Sequence, residues 1–504
     1  MFSSVSSGGI RGIGGYMVRV ETDISSGMPV FELVGYLGSE VREAGQRVRT
    51  ALKNTGYDMP LARITVNLSP GDIKKQGTGY DLPIALSILV CMEVIPAGSL
   101  EEVFVVGELN LSGKVCGIKG VLPMLLSAKK SGYKKCIIPR DNYMEGGIVD
   151  GIEIYGVESI KQAVDFLRGK EEISAYKNIL SEELCKPTET TCDFKNVRGQ
   201  VLAKRGIEIA AAGLHNVLMS GTPGAGKTML ARCIPSILPP MTEEECLEVT
   251  SIYSVKGILS ADSQVVTQRP FVPVHNTATE VALIGGGATP RPGAVSIANK
   301  GVLFLDELPE FSRRAIEALR QPLEDRVVNI TRNKDICSFP ADFMLVAAMN
   351  PCPCGYFPDR KKCNCSDLAI ERYMSKISGP LLDRIDICIT TDTITSYDLR
   401  KKKEAESSEA IKKRVLRAHE IERERFSGKK ILFNSQMNNE DIEKYCRLNV
   451  DEHDFMDEMC EKHDISARSY FRILKISRTI ADISGRDEIE LEDLAEALRF
   501  NQNL

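Results

Sequence analysis

No segment of the sequence is apolar for the roughly 18 consecutive residues that cross a bilayer; even Leu82–Ile95 is broken by Pro83 and Glu93. The first residues, Met1-Phe2-Ser3-Ser4-Val5, show no basic stretch leading into an apolar one, so a secretory leader is not expected. Repeats and low-complexity tracts are missing too. Neither charge is in large excess: 64 Lys and Arg stand against 69 Asp and Glu, a net charge of −5. That balance excludes a uniformly basic nucleic-acid coat and leaves room for a local basic patch. Without a secretory signal, the 15 cysteines are expected as reduced thiols in a cytoplasmic protein.

What is present is an ordinary globular composition, 43% hydrophobic and 26% charged, in a chain long enough for about three domains of roughly 150 residues. Residues 1–168 mix strands (Arg63–Leu68, Val103–Val106, Lys135–Ile138, Ile152–Tyr155) with helices (Glu40–Lys53, Leu82–Val94). Residues 169–194 are polar, charged and Pro/Thr-rich at their end, and read as a linker. Residues 195–395 alternate strand and helix as a parallel sheet does, with strands at Val217–Ser220, Val302–Asp306 and Met344–Ala348. Residues 396–504 open on a highly charged helical pattern and are helical throughout from about Asn439.

Gly221-Thr222-Pro223-Gly224-Ala225-Gly226-Lys227-Thr228 fits the phosphate-binding pattern GxxxxGK[ST] in full, between an apolar strand and an apolar helix. Glycines turn backbone N–H groups inward to cradle phosphates, and the helix N-terminus adds a positive dipole. Lys227 would neutralise the β- and γ-phosphates of ATP, and the Thr228 hydroxyl would ligate Mg²⁺. Gly301-Val302-Leu303-Phe304-Leu305-Asp306-Glu307 is a buried strand ending in two carboxylates. Asp306 would hold Mg²⁺ through water, and Glu307 would act as general base on the attacking water. A third strand ends at Asn350, placed to orient that water or touch the γ-phosphate; the bland alternative is a turn-forming Asn before Pro351.

Arg384, closing the apolar turn of Ser378–Arg384, suits an arginine finger; a simple Asp383–Arg384 surface pair is the alternative. In the tail, Arg468, Arg472 and Lys475 share a helical stripe. Arg468 at the helix start is a candidate second sensor of ATP, against the reading of the stripe as a solvated face. Cys352, Cys354, Cys363 and Cys365 fall within 14 residues, where random scattering would put roughly 0.4 cysteines. Four thiolates suit a structural Zn²⁺, although CxC pairs are tighter than usual ligand spacing; unligated thiols or a redox-sensitive pair are the alternatives.

These motifs in this order resemble the AAA+ ATPases of the magnesium-chelatase-like group, and in particular the ComM/YifB family, over nearly the whole chain. Further stretches carry the resemblance: REAGQRVRTALK (42–53), RITVNLS (63–69), GYDLPIAL (79–86), GGG (285–287), GVLFLDELPEF (301–311), LRQPLED (319–325), NPCPCG (350–355) and ISGPLLDRID (377–386). The resemblance implies an α/β fold, an AAA+ P-loop parallel sheet with a helical C-terminal lid, preceded by an α+β Lon-protease-like (S5 domain 2-like) domain. It also implies a hexameric ring with ATP between subunits and Arg384 acting in trans. Ser251–Ala298 resembles the clade's helix-2 insert; relatives carry two adjacent histidines there, whereas this chain has His275-Asn276.

By resemblance the function is that of a DNA helicase driving branch migration of recombination intermediates in natural transformation. An ATP-dependent protein remodeller like the MoxR chaperones, or a chelatase ATPase subunit, are the other readings. The hairpin Val327–Phe339 has a polar tip, Arg332-Asn333-Lys334, and in a ring Arg332 and Lys334 would touch DNA phosphates; a plain solvated turn is the alternative. In the N-terminal domain, alignment with the Lon pattern puts Gly79 where the nucleophilic Ser would be and Leu122 where its Lys would be. No peptidase activity is expected, and the domain is read as a binding or assembly module.

Overall fold

The computed structural model of the protein describes residues 1–176, 192–259, 265–287, 289–332, 335–392 and 405–501, without the side chains of 332–335. Much of the expected linker (177–191), part of the charged connector (393–404), Lys334 and the side chain of Arg332 therefore lie outside the described residues. Two compact units result: Met1–Pro187 with Thr242–Thr267, and Thr188–Met241 with Gln268–Leu504. Residues Thr242–Thr267, read from the sequence as part of the ATPase core, thus group with the first unit.

The first unit is built on a mixed sheet of seven strands: β1 (Phe2–Arg11), β2 (Gly14–Ser25), β3 (Val30–Val34), β4 (Arg63–Ser69), β5 (Val103–Val105), β6 (Lys135–Pro139) and β7 (Glu153–Val157), in the order β3-β4-β2-β1-β5-β6-β7. Strand β1 carries little β-signal because it reads FSSVSSGGIR, whereas β2 and β3 hold Tyr, Phe and several Val. Packing explains the small residues. A Cβ on Gly8 would lie 2.8 Å from the Phe104 ring, and one on Gly15 would lie 2.2 Å from the Pro123 carbonyl oxygen. The helix Asp81–Cys91 is buried nearly all round, with Pro83 in its first turn, where a missing N–H costs nothing. Asp81 is fully buried and takes a bidentate pair from Arg47, at 2.8 and 2.9 Å. One buried ion pair therefore joins the REAGQRVRTALK and GYDLPIAL stretches.

Helix Glu243–Lys256, opened by a Thr242/Glu245 capping box, packs on helix Val121–Lys130. There Ser254 hydrogen-bonds the buried Glu145 carboxyl, which also accepts from the Leu122 N–H at 2.9 Å. Burial pushes the Glu145 pKa up. Leu122 is fully buried, and a Cβ on Gly79 would sit 3.0 Å from Ile118.

In the second unit, β8 (Val217–Gly221), β9 (Phe271–Val274), β10 (Val302–Leu305), β11 (Met344–Met349) and β12 (Ile387–Thr391) form an all-parallel sheet ordered β9-β10-β11-β8-β12. Strands β10 and β11 are buried at every position, as a sheet covered on both faces requires. Because β8, β10 and β11 run the same way, Gly221, Asp306 and Asn350 emerge at one edge, where parallel sheets bind ligands. The expected hairpin is found as Val327–Arg332 against Asp335–Pro340. Five helices follow, Ser408–Arg425, Asn439–Tyr445, Val450–His463, Ala467–Ser484 and Leu491–Leu498. Ser407, Asn438, Asn449 and Ser466 cap the first four through their side chains. The buried Asp482 ties this layer together, accepting from Arg425, Arg478 and Asn434. Among the described residues no helix is long and apolar enough to cross a membrane.

Candidate active site

Strand β8 delivers the chain into a loop whose Gly224 and Gly226 sit at φ +79° and +87°, a conformation only glycine takes freely. Lys227 then opens helix Lys227–Cys233 and is largely buried. Its ammonium donates to the Gly221 and Thr222 carbonyls at 2.6 and 3.1 Å and to Asn350 Oδ1 at 3.1 Å. Burial lowers its pKa, against the pull of Asp306 and Glu307. The Thr228 hydroxyl donates to Asp306 Oδ2 at 2.9 Å, so two hard oxygen ligands already face each other. Such a donor pair fits Mg²⁺, which takes few protein oxygens and keeps the rest of its shell for water and phosphate. Polyphosphate oxygens would accept from the loop amides and the Lys227 ammonium and ligate a Mg²⁺ ion.

Glu307 stands at φ +53°, an uncommon place for a residue with a side chain. It aims its carboxylate at Asn276, whose Nδ2 donates to Glu307 Oε2 at 3.0 Å. Asn276, the position where this chain departs from the paired histidines, therefore pins the expected general base. Its neighbour His275 bonds Thr277 instead. Gln200, which the motif reading passed over, holds the P-loop to the sheet: its Nε2 donates to the Ala225 carbonyl at 3.1 Å and to that of Asp392 at 2.6 Å.

The two arginines occupy a separate cleft of about 330 Å³ lined by Glu324, Arg326, Arg384, Arg468, Arg472 and Lys475 among others. Arg384 pairs with Glu324 rather than Asp383, and Arg468 reaches the same carboxylate at 3.6 Å. The two guanidiniums, Arg384 first, lower the Glu324 pKa. Asn216 fixes this corner to the sheet, donating to the Arg384 carbonyl at 2.9 Å and accepting from the Leu345 N–H at 2.8 Å. Within the stripe of Arg468, Arg472 and Lys475, Arg468 is half-exposed while the other two are more covered. Arg472 is buried on the Ile385 carbonyl at 2.6 Å, and Lys475 donates to that of Ser435 at 3.1 Å. Glu324 and Asn216 have no motif signature of their own; Glu324 lies in the LRQPLED stretch but gave no chemical hint there.

The four clustered cysteines converge. Their sulfur atoms all lie within 4.8 Å of one another, with Cys352 Sγ 3.4 Å from Cys354 Sγ and 3.7 Å from Cys363 Sγ.

Comparison with known proteins places these features. Family models described as "Magnesium chelatase, subunit ChlI", "Subunit ChlI of Mg-chelatase" and "Magnesium chelatase, subunit ChlI C-terminal" match residues 193–399, 20–142 and 405–501. The chain is 41% identical to competence protein ComM of Haemophilus influenzae over 492 residues, covering 97% of this chain and 95% of that one. It is 38% identical to the uncharacterized protein YifB of Escherichia coli over 495 residues, again 97% and 95% of the two chains. A Lon protease of Buchnera aphidicola is 26% identical over 165 residues, 30% of this chain and 21% of its own. The parallel sheet with a P-loop, two carboxylates and a polar amide at one edge, capped by helices, is the AAA+ fold. This chain belongs to the ComM/YifB family of magnesium-chelatase-like AAA+ proteins.

Proposed function

We propose that the protein is a cytoplasmic ATP-driven DNA motor that assembles into a ring, without peptidase chemistry, and moves or branch-migrates recombination intermediates.

 In that reading Lys227 and the loop amides hold the ATP phosphates, Thr228 and Asp306 hold Mg²⁺, which neutralises charge on the phosphates, and Glu307 draws the proton from the attacking water. Asn350, already bonded to the Lys227 ammonium, stands ready to position the γ-phosphate. Arg384 and Arg468 meet on Glu324, which supports Arg384 serving the nucleotide of a neighbouring chain and Arg468 acting as the second sensor that draws the helical lid onto ATP. We assign a structural zinc ion to the four clustered cysteines as part of the same reading. No peptidase step is assigned to the first unit, since Gly79 and Leu122 offer neither hydroxyl nor amine.

The observation that carries the DNA assignment is the similarity, along almost the full length of both chains, to a protein named for competence. The test is ATP turnover with and without single-stranded, duplex and four-way-junction DNA, with Lys227→Ala as the blank. Strong stimulation by branched or single-stranded DNA, fading as salt rises, is expected. Good basal turnover that no DNA changes would overturn the DNA motor and favour protein clients recruited through the first unit.

A further inference from the structure

The cysteine cluster grows out of the same strand tip that carries Asn350. Strand β11 ends at Met349, Asn350 touches the Lys227 ammonium at 3.1 Å, and Cys352 follows two residues later, fully buried. Cys352-Pro353-Cys354 and Cys363-Asn364-Cys365 then bring four sulfurs within 4.8 Å of one another. Tetrahedral zinc at about 2.3 Å from each thiolate sets its sulfurs roughly 3.8 Å apart, and the observed 3.4 and 3.7 Å separations from Cys352 fit that spacing. They are far too long for a disulfide, whose sulfurs lie about 2.05 Å apart. The Phe357 N–H points at Cys352 Sγ at 3.4 Å, the kind of outer contact that orients a metal-bound sulfur.

Between the two CxC pairs, the loop presses on the phosphate-binding loop. Gly355, at φ +84°, accepts no side chain: a Cβ there would lie 2.6 Å from Pro223 Cδ and 3.7 Å from Asn350 Cγ. Its N–H donates to the Cys352 carbonyl at 2.9 Å, so the turn resting on Pro223 is closed by a metal-ligand residue. Resting on the zinc assignment above, we propose that the Cys352/Cys354/Cys363/Cys365 zinc centre is a clamp that fixes Asn350 and Pro223, so that loss of the metal weakens nucleotide binding. In the bound state the four thiolates hold the loop rigid through four Zn–S bonds. Without the ion that cross-link is gone, the Gly355 turn loosens, and both the Lys227–Asn350 contact and the back of the P-loop lose their support.

The experiment uses the full chain. Zinc is counted by elemental analysis, then released from the wild type by a mercurial thiol reagent in the presence of a chromogenic zinc indicator. The affinity for a fluorescent, non-hydrolysable ATP analogue is read by anisotropy before and after release, and again after the mercurial is removed with dithiothreitol and zinc is returned. The expected result is about one zinc per chain, a loss of affinity of about tenfold or more on release, and recovery on return of the metal. Gly355→Val is the companion variant: it should retain its zinc and still bind the analogue at least about tenfold more weakly. A wild-type chain without zinc that melts at the same temperature after exhaustive chelation overturns the zinc assignment itself. Zinc that is present and releasable while analogue affinity stays unchanged, in the wild type and in Gly355→Val alike, overturns the clamp and leaves the metal assignment standing.

Discussion

The P-loop cluster and the arginine cleft belong to one unit, yet they are held in different ways. The key side chains of the first are bonded within it: Lys227 to Gly221, Thr222 and Asn350, Thr228 to Asp306, and Glu307 to Asn276. In the second, two guanidiniums lean on one half-exposed carboxylate, and the buried Nε of Arg384 has no hydrogen-bond partner among the described residues. An unpaired buried donor is costly, and cost of that kind collects where a partner arrives later. The contrast separates groups bonded to one another around the P-loop from two arginines that share a single carboxylate.

The largest effect should come from separating the two clusters by mutation. Arg384→Ala is expected to lower kcat by about 10³-fold while analogue binding holds, and Lys227→Ala to abolish binding. Mixed rings of the two inactive chains should regain activity, because one supplies the arginine and the other the P-loop. Steady-state turnover of the mixture reads this, and a mixture as dead as its components would place Arg384 in cis. Next in size is an effect of pH on the helices that bear Arg468. His419 is buried against Phe433, and desolvation lowers its pKa to about 4. Its 3.4 Å approach to Glu422 is no ion pair, because burial raises the Glu422 pKa well above normal. A depressed His pKa gives stability that is present above about 6.5 and lost as pH falls towards 4, amounting to about 3 kcal/mol. Denaturant melts of the wild type and His419→Gln across that window should show a steeper loss in the wild type.

Within the P-loop cluster, Asn276→Ala removes a hydrogen bond to a charged carboxylate, a contact worth about 1.5 kcal/mol. We expect kcat to fall about tenfold with nucleotide affinity held within about twofold, which single-turnover kinetics and analogue binding would separate. The smallest change should follow Glu324→Gln. Freeing two arginines from one exposed carboxylate is worth up to about 1 kcal/mol, so turnover at low chain concentration should rise up to about fivefold, and the gain should vanish at high salt. A fall instead would make Glu324 part of the assembled site rather than a resting partner.

The parts of this molecule that are legible in sequence are those whose chemistry is local. The P-loop, the Asp306-Glu307 pair, the hairpin over Val327–Phe339 and the capped helices from Asn439 are each written in a few consecutive residues. Strand β1 is not, because close approach of Gly8 to Phe104 selects a small residue over the β-branched residues that mark a strand. Nor are the partners formed across the fold. Asn276 meets Glu307, Gln200 meets Asp392 and Asn216 meets the Arg384 carbonyl only once the parallel sheet brings distant strand ends side by side. The spacing of Arg468, Arg472 and Lys475 is legible, but not that Arg472 and Lys475 are held on the Ile385 and Ser435 carbonyls while Arg468 stays half-exposed, since periodicity alone does not say which face a neighbouring element covers.

Because Thr242–Thr267 groups with the N-terminal residues, the backbone passes between the two units three times, after Pro187, after Met241 and after Thr267. The units are therefore not beads on a string. A protease cut between Tyr176 and Cys192 would sever one covalent tie of three, so the nicked halves should travel together on a gel-filtration column. A fragment ending at residue 168 would also be short of the helix whose Ser254 answers Glu145. Such threading makes the two units heritable as one piece: a recombination event at a single breakpoint cannot exchange either of them cleanly.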